Sequence, residues 1–325
     1  MLNILFVIDD IEHKYFEFND LVTNFWLIKE LLERKYNVDI CTKNNLYLDG
    51  EIAYSRVQKS YLCEENGISY QKEFSDKKIN DYDVVFFRPD PPVNENYLNA
   101  CTVFDFVDKE KTFVINDPSK IKVWGEKSHC AKFPQCCVKS IITASKEVIE
   151  NFVEKHHQSI IKPLNMCFGQ GVYFLDKSDK NFSTLIKTAT NNFTTHIVLQ
   201  EYLPEVKNGD KRVLIINGEV LDECIVKLAG DNDFKFNTHA DKYFKSSTLT
   251  PLEKQRAKII AETLKLEGFY LIGLDMINEL VTEINITSPC YFIREINQNN
   301  NIKFQDIIME KIEKLLDEKL SLKIC

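Results

Sequence analysis

The stretch over residues 2–9 is a continuous apolar run ending in two acids, Asp9 and Asp10. A strand without alternation is buried on both faces, and sheets covered on both faces are built from parallel strands with helices between them. The residues that follow meet that demand. Leu21, Phe25, Ile28, Leu31 and Leu32 recur at helical spacing, with Asn19 and Asp20 as candidate caps. Residues 38–42 read as a second strand, 83–88 and 112–116 as two more, with a helical stretch around 96–109 between the last two. This alternation predicts a parallel α/β unit over about the first 120 residues. No GxGxxG follows the first strand, so the dinucleotide fingerprint is missing.

With 325 residues, 44% hydrophobic and 28% charged, the chain can bury a sizeable core and is not disordered. A net charge of −8 argues against general binding to nucleic acid or to a membrane surface. No apolar run approaches the roughly 20 residues of a membrane span. The N-terminal residues read as a first strand and not as a signal peptide. Ten cysteines form no CxxC pair, which removes zinc-ligand spacing and predicts buried free thiols in a reducing, cytoplasmic setting. Glycine is scarce, ten in all, so each one is expected to serve a backbone need.

Beyond residue 120 the texture changes. A short helix-like piece over 126–133 leads to a helix over 145–156 capped by Ser145, then strands over 159–162, 172–175 and 197–201 with a helix starting near Phe182. Two hairpins follow. Strands over 211–216 and 219–226 flank Asn217-Gly218, and strands over 271–277 and 280–286 flank Asn278-Glu279. Amphipathic helices are expected over 252–267 and 304–320.

Three pieces can carry chemistry. The strand ending at Lys162 is followed by a loop with Gly169 and Gly171, where backbone N–H groups and a point charge suit phosphate. Alone, this piece fits an ordinary hairpin equally well. The strand end Gln200-Glu201-Tyr202-Leu203 exposes main-chain atoms that can read an adenine edge, and Asp210 lies close enough to take ribose hydroxyls; a strand with a charged turn reads the same way. The second hairpin is more specific. Period two puts Glu283 and Asn285 on one face of their strand, with Asp275 able to pair across from them. Three converging oxygen ligands suit Mg²⁺.

Together with Lys127, Asp210-Lys211-Arg212 and Gly273-Leu274-Asp275, these pieces stand in the order found in the ATP-grasp ligases. More narrowly, the chain resembles the bacterial glutathione synthetases over nearly its whole length. The run from Thr282 to Pro289 (TEINITSP), Arg88-Pro89-Asp90-Pro91-Pro92, Asn116-Asp117-Pro118-Ser119 and Ile293-Arg294-Glu295-Ile296 support that. The resemblance implies an ATP-grasp fold: an α/β protein, α+β in its C-terminal part. Its domains would be an N-terminal parallel α/β domain over 1–122, a central lid domain over 123–200 and an antiparallel-sheet domain over 201–325.

It also implies roles. Lys127 and Lys162 would contact the ATP phosphates under the Gly169–Gly171 loop. Gln200, Glu201 and Leu203 would frame the adenine, with Asp210 on the ribose. Asp275, Glu283 and Asn285 would hold two Mg²⁺ ions, with Mn²⁺ as a substitute. Arg212 and Lys162 would act on the transferred phosphoryl group, and Arg88 and Ser288 would position the peptide substrate. The expected reaction is ATP-dependent joining of γ-glutamylcysteine and glycine through an acyl phosphate, in a cytoplasmic homo-oligomer, a tetramer by analogy.

The chain departs from the family in the stretch that closes over the substrate. Members carry Arg-Gly-Asn and Gly-Gly-Arg-Gly there, whereas this chain has Lys235-Phe236-Asn237 and Asp241-Lys242-Tyr243-Phe244. Lys235, Asn237 and Lys242 are the substitutes offered, although Lys does not reproduce the bidentate grip of Arg. That difference keeps open a ligase with another acceptor and, from a different class, a non-catalytic ATP-binding protein.

Overall fold

The computed structural model describes residues 2–10, 20–64, 67–167, 169–228 and 244–321. The apolar first run becomes the strand Asn3–Ile8, fully buried from Ile4 onward. It lies between Asn37–Thr42 and Val84–Phe87, parallel to both, and Phe113–Ile115 extends the parallel row. Helix Thr23–Glu33 covers one face through Phe25, Leu27, Ile28 and Leu31. Its N-cap is Val22, with no side-chain cap, so Asp20 does not serve as the expected cap; Asn19 lies outside the described residues.

The sheet is larger than the sequence pattern suggests. The long strand Ile52–Cys63 pairs antiparallel with Asn37–Thr42, and Leu46–Asp49, Gly67–Tyr70 and Ser75–Lys78 pair with it, giving eight strands. Its inward positions include Ser55, Gln58 and Ser60 beside Ala53 and Val57. Small and polar residues on the buried side conceal the alternation that would announce such a strand.

A second, four-stranded antiparallel sheet runs in the order Tyr173–Asp176, Gln158–Pro163, Ile197–Glu201, Ser140–Thr143. Helices Lys146–His156 and Phe182–Ala189 close it around Ile149, Val153, Ile161, Leu175, Ile186, Ile197 and Leu199. The Ser145 hydroxyl caps the first of these helices by accepting from the Val148 N–H at 3.5 Å.

The third sheet has six antiparallel strands, with Asp210–Ile216 at its centre between Cys224–Lys227 and Leu271–Ile277, and Leu280–Asn285 at one edge. Both predicted turns form, with positive φ at Asn217 (52°), Gly218 (78°), Asn278 (47°) and Glu279 (66°). The first hairpin's return strand is broken, however, into Glu219–Val220 and Cys224–Lys227.

The first and third sheets share their apolar cores. Ile4, Phe6 and Phe86 belong to one cluster with Leu214, Tyr291, Phe304 and Ile308. The second sheet has a core of its own. The nine cysteines among the described residues are free, six of them buried. No helix among those residues is long and apolar enough to cross a membrane.

Candidate active site

The site is built on the hairpin Leu271–Ile277/Leu280–Asn285. Its register pairs Asp275 with Glu283 and Gly273 with Asn285, and then shifts, so that Met276 pairs with Val281. Thr282 is the extra residue of this β-bulge, and its carbonyl is freed from the ladder. That oxygen accepts from Gln200 Nε2 at 3.2 Å and from Lys162 Nζ at 3.4 Å, both reaching over from the four-stranded sheet. The Thr282 hydroxyl donates to the Asp275 carbonyl at 3.2 Å, closing the bulge from inside.

Asp275 is the electrostatic centre. Arg212, its partner across the sheet, grips it with two bonds, Nε to Oδ1 at 2.8 Å and an Nη to Oδ2 at 3.1 Å. Lys227 adds a third contact to Oδ1 at 2.9 Å. Burial works against the charge on Asp275, but Arg212 and then Lys227 outweigh it and hold the carboxyl far below the usual range. The close packing depends on Gly273, where a Cβ would stand 3.0 Å from Pro289 Cβ and 3.2 Å from Arg212 Cδ.

Lys227 also reaches Asp210 Oδ2 at 2.7 Å. The other Asp210 oxygen is buried without a hydrogen-bond partner. Desolvation, reinforced by Asp275, pushes Asp210 up to about 6 in spite of Lys227. Gly209 brings this strand in at φ 106°, and a Cβ there would lie 2.9 Å from the Lys227 carbonyl, so no side chain fits.

Lys127 joins the site from the connecting segment. Its ammonium lies 2.9 Å from Glu283 Oε1 and donates to the Met166 carbonyl at 2.6 Å, tying the glycine loop to the hairpin. Burial opposes its charge, but Glu283 and Glu126 raise its pKa. Asn285 donates to Asp275 Oδ2 and to the Gly273 carbonyl, each at 3.2 Å. Asp275, Glu283 and Asn285 would offer a metal two carboxylates and an amide; among the described residues no three His, Cys, Asp or Glu gather into a metal-binding group. Hard oxygen donors next to three cations, with a buried orphan oxygen on Asp210, fit a divalent ion carrying a polyphosphate.

The remaining expected residues fall around this centre. Gly169 and Gly171 both have positive φ, 67° and 68°. Glu201 ends its strand with its N–H on the Lys139 carbonyl at 2.9 Å and its carboxylate 3.5 Å from His156 Nδ1. His156 is itself stacked on Phe152. Leu203 accepts from the Val206 N–H at 3.1 Å. Arg88 is 1% exposed and bonds Asn24 Oδ1 and the Pro289 carbonyl, so it bears on the Ser288 segment from beneath. Ser288 hydrogen-bonds Asp90, a carboxyl that burial and then Asp9 push up to about 6. Lys235, Asn237 and Lys242 lie outside the described residues.

Sequence reasoning missed Lys227, Thr282, Glu126 and Asp90. Lys227 has a local signal: it closes the return strand of the Asn217-Gly218 hairpin and pairs with Asp210 in register. Asp90 stands inside the RPDPP run.

The fold and this centre define an ATP-grasp ligase, an enzyme that joins a carboxylate to an amine at the expense of ATP with a divalent metal. The model of the prokaryotic glutathione synthetase ATP-grasp domain matches residues 126–301, and that of the N-terminal domain of the same family matches 2–122. The chain belongs to the prokaryotic glutathione synthetase family. It is 36% identical to the glutathione synthetase of Nostoc over 72% of each chain. It is 32% identical to that of Buchnera aphidicola over 90% of this chain and 91% of the relative. Among solved structures, a D-cycloserine synthetase shares the fold at TM-score 0.65 and 12% identity, covering 95% of this chain and 99% of that one. A D-alanyl-alanine synthetase A from Vibrio cholerae does so at TM-score 0.58 and 14% identity, covering 98% and 99%.

Proposed function

We propose that the chain joins the cysteinyl carboxylate of γ-glutamylcysteine to the amine of glycine, releasing ADP and phosphate. The observation that carries this reading is the buried Arg212–Asp275–Lys227 cluster, centred on the hairpin that also presents Glu283 and Asn285 and completed from two other strands of its sheet. Phosphoryl transfer asks a protein mainly for alignment and charge neutralisation, and this cluster is suited to both. The donor carboxylate oxygen would attack the γ-phosphorus while the bond to ADP breaks. The glycine nitrogen would then attack the acyl carbon, forming the C–N bond, expelling phosphate and losing a proton.

In this reading Asp275, Glu283 and Asn285 hold two Mg²⁺ ions, replaceable by Mn²⁺, which supply positive charge against the phosphates. Lys127 and Lys162 would contact the ATP phosphates, with Gly169 and Gly171 closing over them. Gln200, Glu201, Leu203 and Asp210 hold the nucleoside, and Arg212 leaves part of its grip on Asp275 to face the transferring group. Ser288 and Arg88 orient the peptide donor, while Lys235 and Asn237 belong to the closing stretch. The division into 1–122, 123–200 and 201–325 goes with these roles. The separate apolar core of the four-stranded sheet supports its acting as a lid that excludes water from the acyl phosphate. A cytoplasmic homotetramer completes the proposal.

Phosphate release by the purified chain should require ATP, Mg²⁺, γ-glutamylcysteine and glycine together. The second reading, a ligase with another amine acceptor, is favoured by the substituted stretch around Lys235 and Asn237; a screen in which a different amine outperforms glycine would replace the first reading with it. Tight ATP binding without turnover on any pair would instead mark a non-catalytic protein.

A further inference from the structure

Glu126 stands beside Lys127 but is not a member of the cation–carboxylate cluster. Its main-chain carbonyl accepts from the Ile284 N–H at 3.0 Å. Its carboxylate oxygen Oε1 accepts three more bonds from the same strand and its continuation: the Ile286 N–H at 2.8 Å, the Thr287 N–H at 3.0 Å and the Thr287 hydroxyl at 2.9 Å. One residue thus holds the chain on both sides of Asn285 and up to the position before Ser288. From the other direction Asn116 grips the same peptide. Its amide nitrogen donates to the Ile286 and Leu271 carbonyls, each at 2.7 Å, while its oxygen accepts from the Tyr270 and Leu271 N–H groups at 2.8 and 3.1 Å.

The regular ladder ends at Asn285. Past that point no strand among the described residues pairs with the backbone, and side chains take over the task. Asn285 carries an amide required beside Asp275, and Ser288 carries a hydroxyl on Asp90. Small displacements of such groups are costly, because oxygen ligands and a reacting carboxylate tolerate errors of only a fraction of an ångström.

We infer that Glu126 is a positioning residue that sets the main chain of residues 284–287, and through it the metal ligand Asn285 and the donor-binding Ser288. The inference rests on the proposed roles of those two residues. What Glu126 contributes is reach: an acceptor oxygen at the end of a three-bond side chain. Its negative charge is secondary, since a neutral amide oxygen of the same length accepts the same three donors.

That distinction sets the test. Glu126→Gln keeps length and loses charge, Glu126→Asp keeps charge and loses length, and Glu126→Ala loses both. In the full chain, the apparent Mg²⁺ requirement and the KM for γ-glutamylcysteine should rise about 10–100-fold in the Asp and Ala variants. The Gln variant should stay within about threefold of the parent, because a neutral acceptor is weaker but correctly placed. The affinity for β,γ-imido-ATP in EDTA should be the same in all four proteins.

An Asp variant more active than the Gln variant would show that charge is the essential property and overturn the inference. So would three variants all indistinguishable from the parent, or a loss of nucleotide affinity in step with the melting temperature, which is what a purely structural role predicts. Should the Ala variant not fold, the Asp–Gln pair decides alone. Mg²⁺ titrations with β,γ-imido-ATP need no acceptor, so a parent that makes no glutathione would end the functional proposal while this comparison still stands.

Discussion

Asp275, within a sheet strand, and Asp90, in the loop that follows one, are both deeply enclosed carboxyls, and they have been driven in opposite directions. Asp275 is held far below the ordinary range and Asp90 is pushed up to about 6. Desolvation is the largest influence on each and raises both. The difference lies in how the partners are delivered. Arg212 and Lys227 stand on the two strands of one sheet, so register alone places two cations against Asp275. Asp90 sits in a loop after its strand; its second-largest influence is the like charge of Asp9, and Ser288 and Arg88 only partly offset it. Two cations delivered by one sheet hold the charge on Asp275, whereas the loop gives Asp90 a like charge and only a partial offset.

Breaking the sheet-set pole should have the largest effect. Asp275→Asn takes the carboxylate away from the buried Arg212 and leaves Lys227 with Asp210. We expect a loss of roughly 3–5 kcal/mol in urea-induced unfolding, and ligase turnover reduced by at least about 10³-fold. A variant with parental turnover would remove Asp275 from the site. Glu283→Gln should separate function from stability: Glu283 is 20% exposed and among the described residues its one ion-pair partner is Lys127, so the fold should persist while turnover drops on the order of 10²–10³-fold. Lys227→Met tests whether one cation suffices. Asp275 keeps Arg212, but Asp210 loses the one cation in hydrogen-bond contact with it among the described residues, so stability should fall by about 2–4 kcal/mol at pH 8 and recover on acidification as Asp210 takes up a proton.

The same contrast explains how much could be read from the chain beforehand. The hairpin of Asp275 and Glu283 was legible because its turn is two residues long and its second strand alternates from Glu283 onward, which sets the face of Glu283 and Asn285. The gathering of Lys127, Lys162, Gln200 and Arg212 around it followed from motif order. The bulge at Thr282 was not legible, since one extra residue leaves the composition of the strand unchanged. Lys227 was hidden in a hairpin that seemed continuous through 226 but breaks after Val220. The strand Ile52–Cys63 was hidden by its buried serines. Glu126 looked like a helix-entry residue, and its four bonds to residues 284–287 are set by tertiary approach that no local pattern encodes.

The smallest predicted effect falls on the loop-set pole and has the opposite sign. Asp90 has a folded-state pKa of about 6, above the ordinary value of 3.8. Between those values the native state binds the proton that the unfolded chain has released, so stability falls as pH rises through the interval. Above it the whole cost is present; below 3.8 both states are protonated and it vanishes. Asn cannot ionise and still offers an oxygen to the Ser288 hydroxyl. Asp90→Asn should therefore stabilise the protein at pH 7.5 by on the order of 2 kcal/mol, and the gain should shrink to nothing near pH 4. Urea unfolding at both pH values reads this directly. A variant less stable than the parent at pH 7.5 would mean that Arg88 and Ser288 compensate Asp90 fully, and the contrast with Asp275 would then be one of degree only.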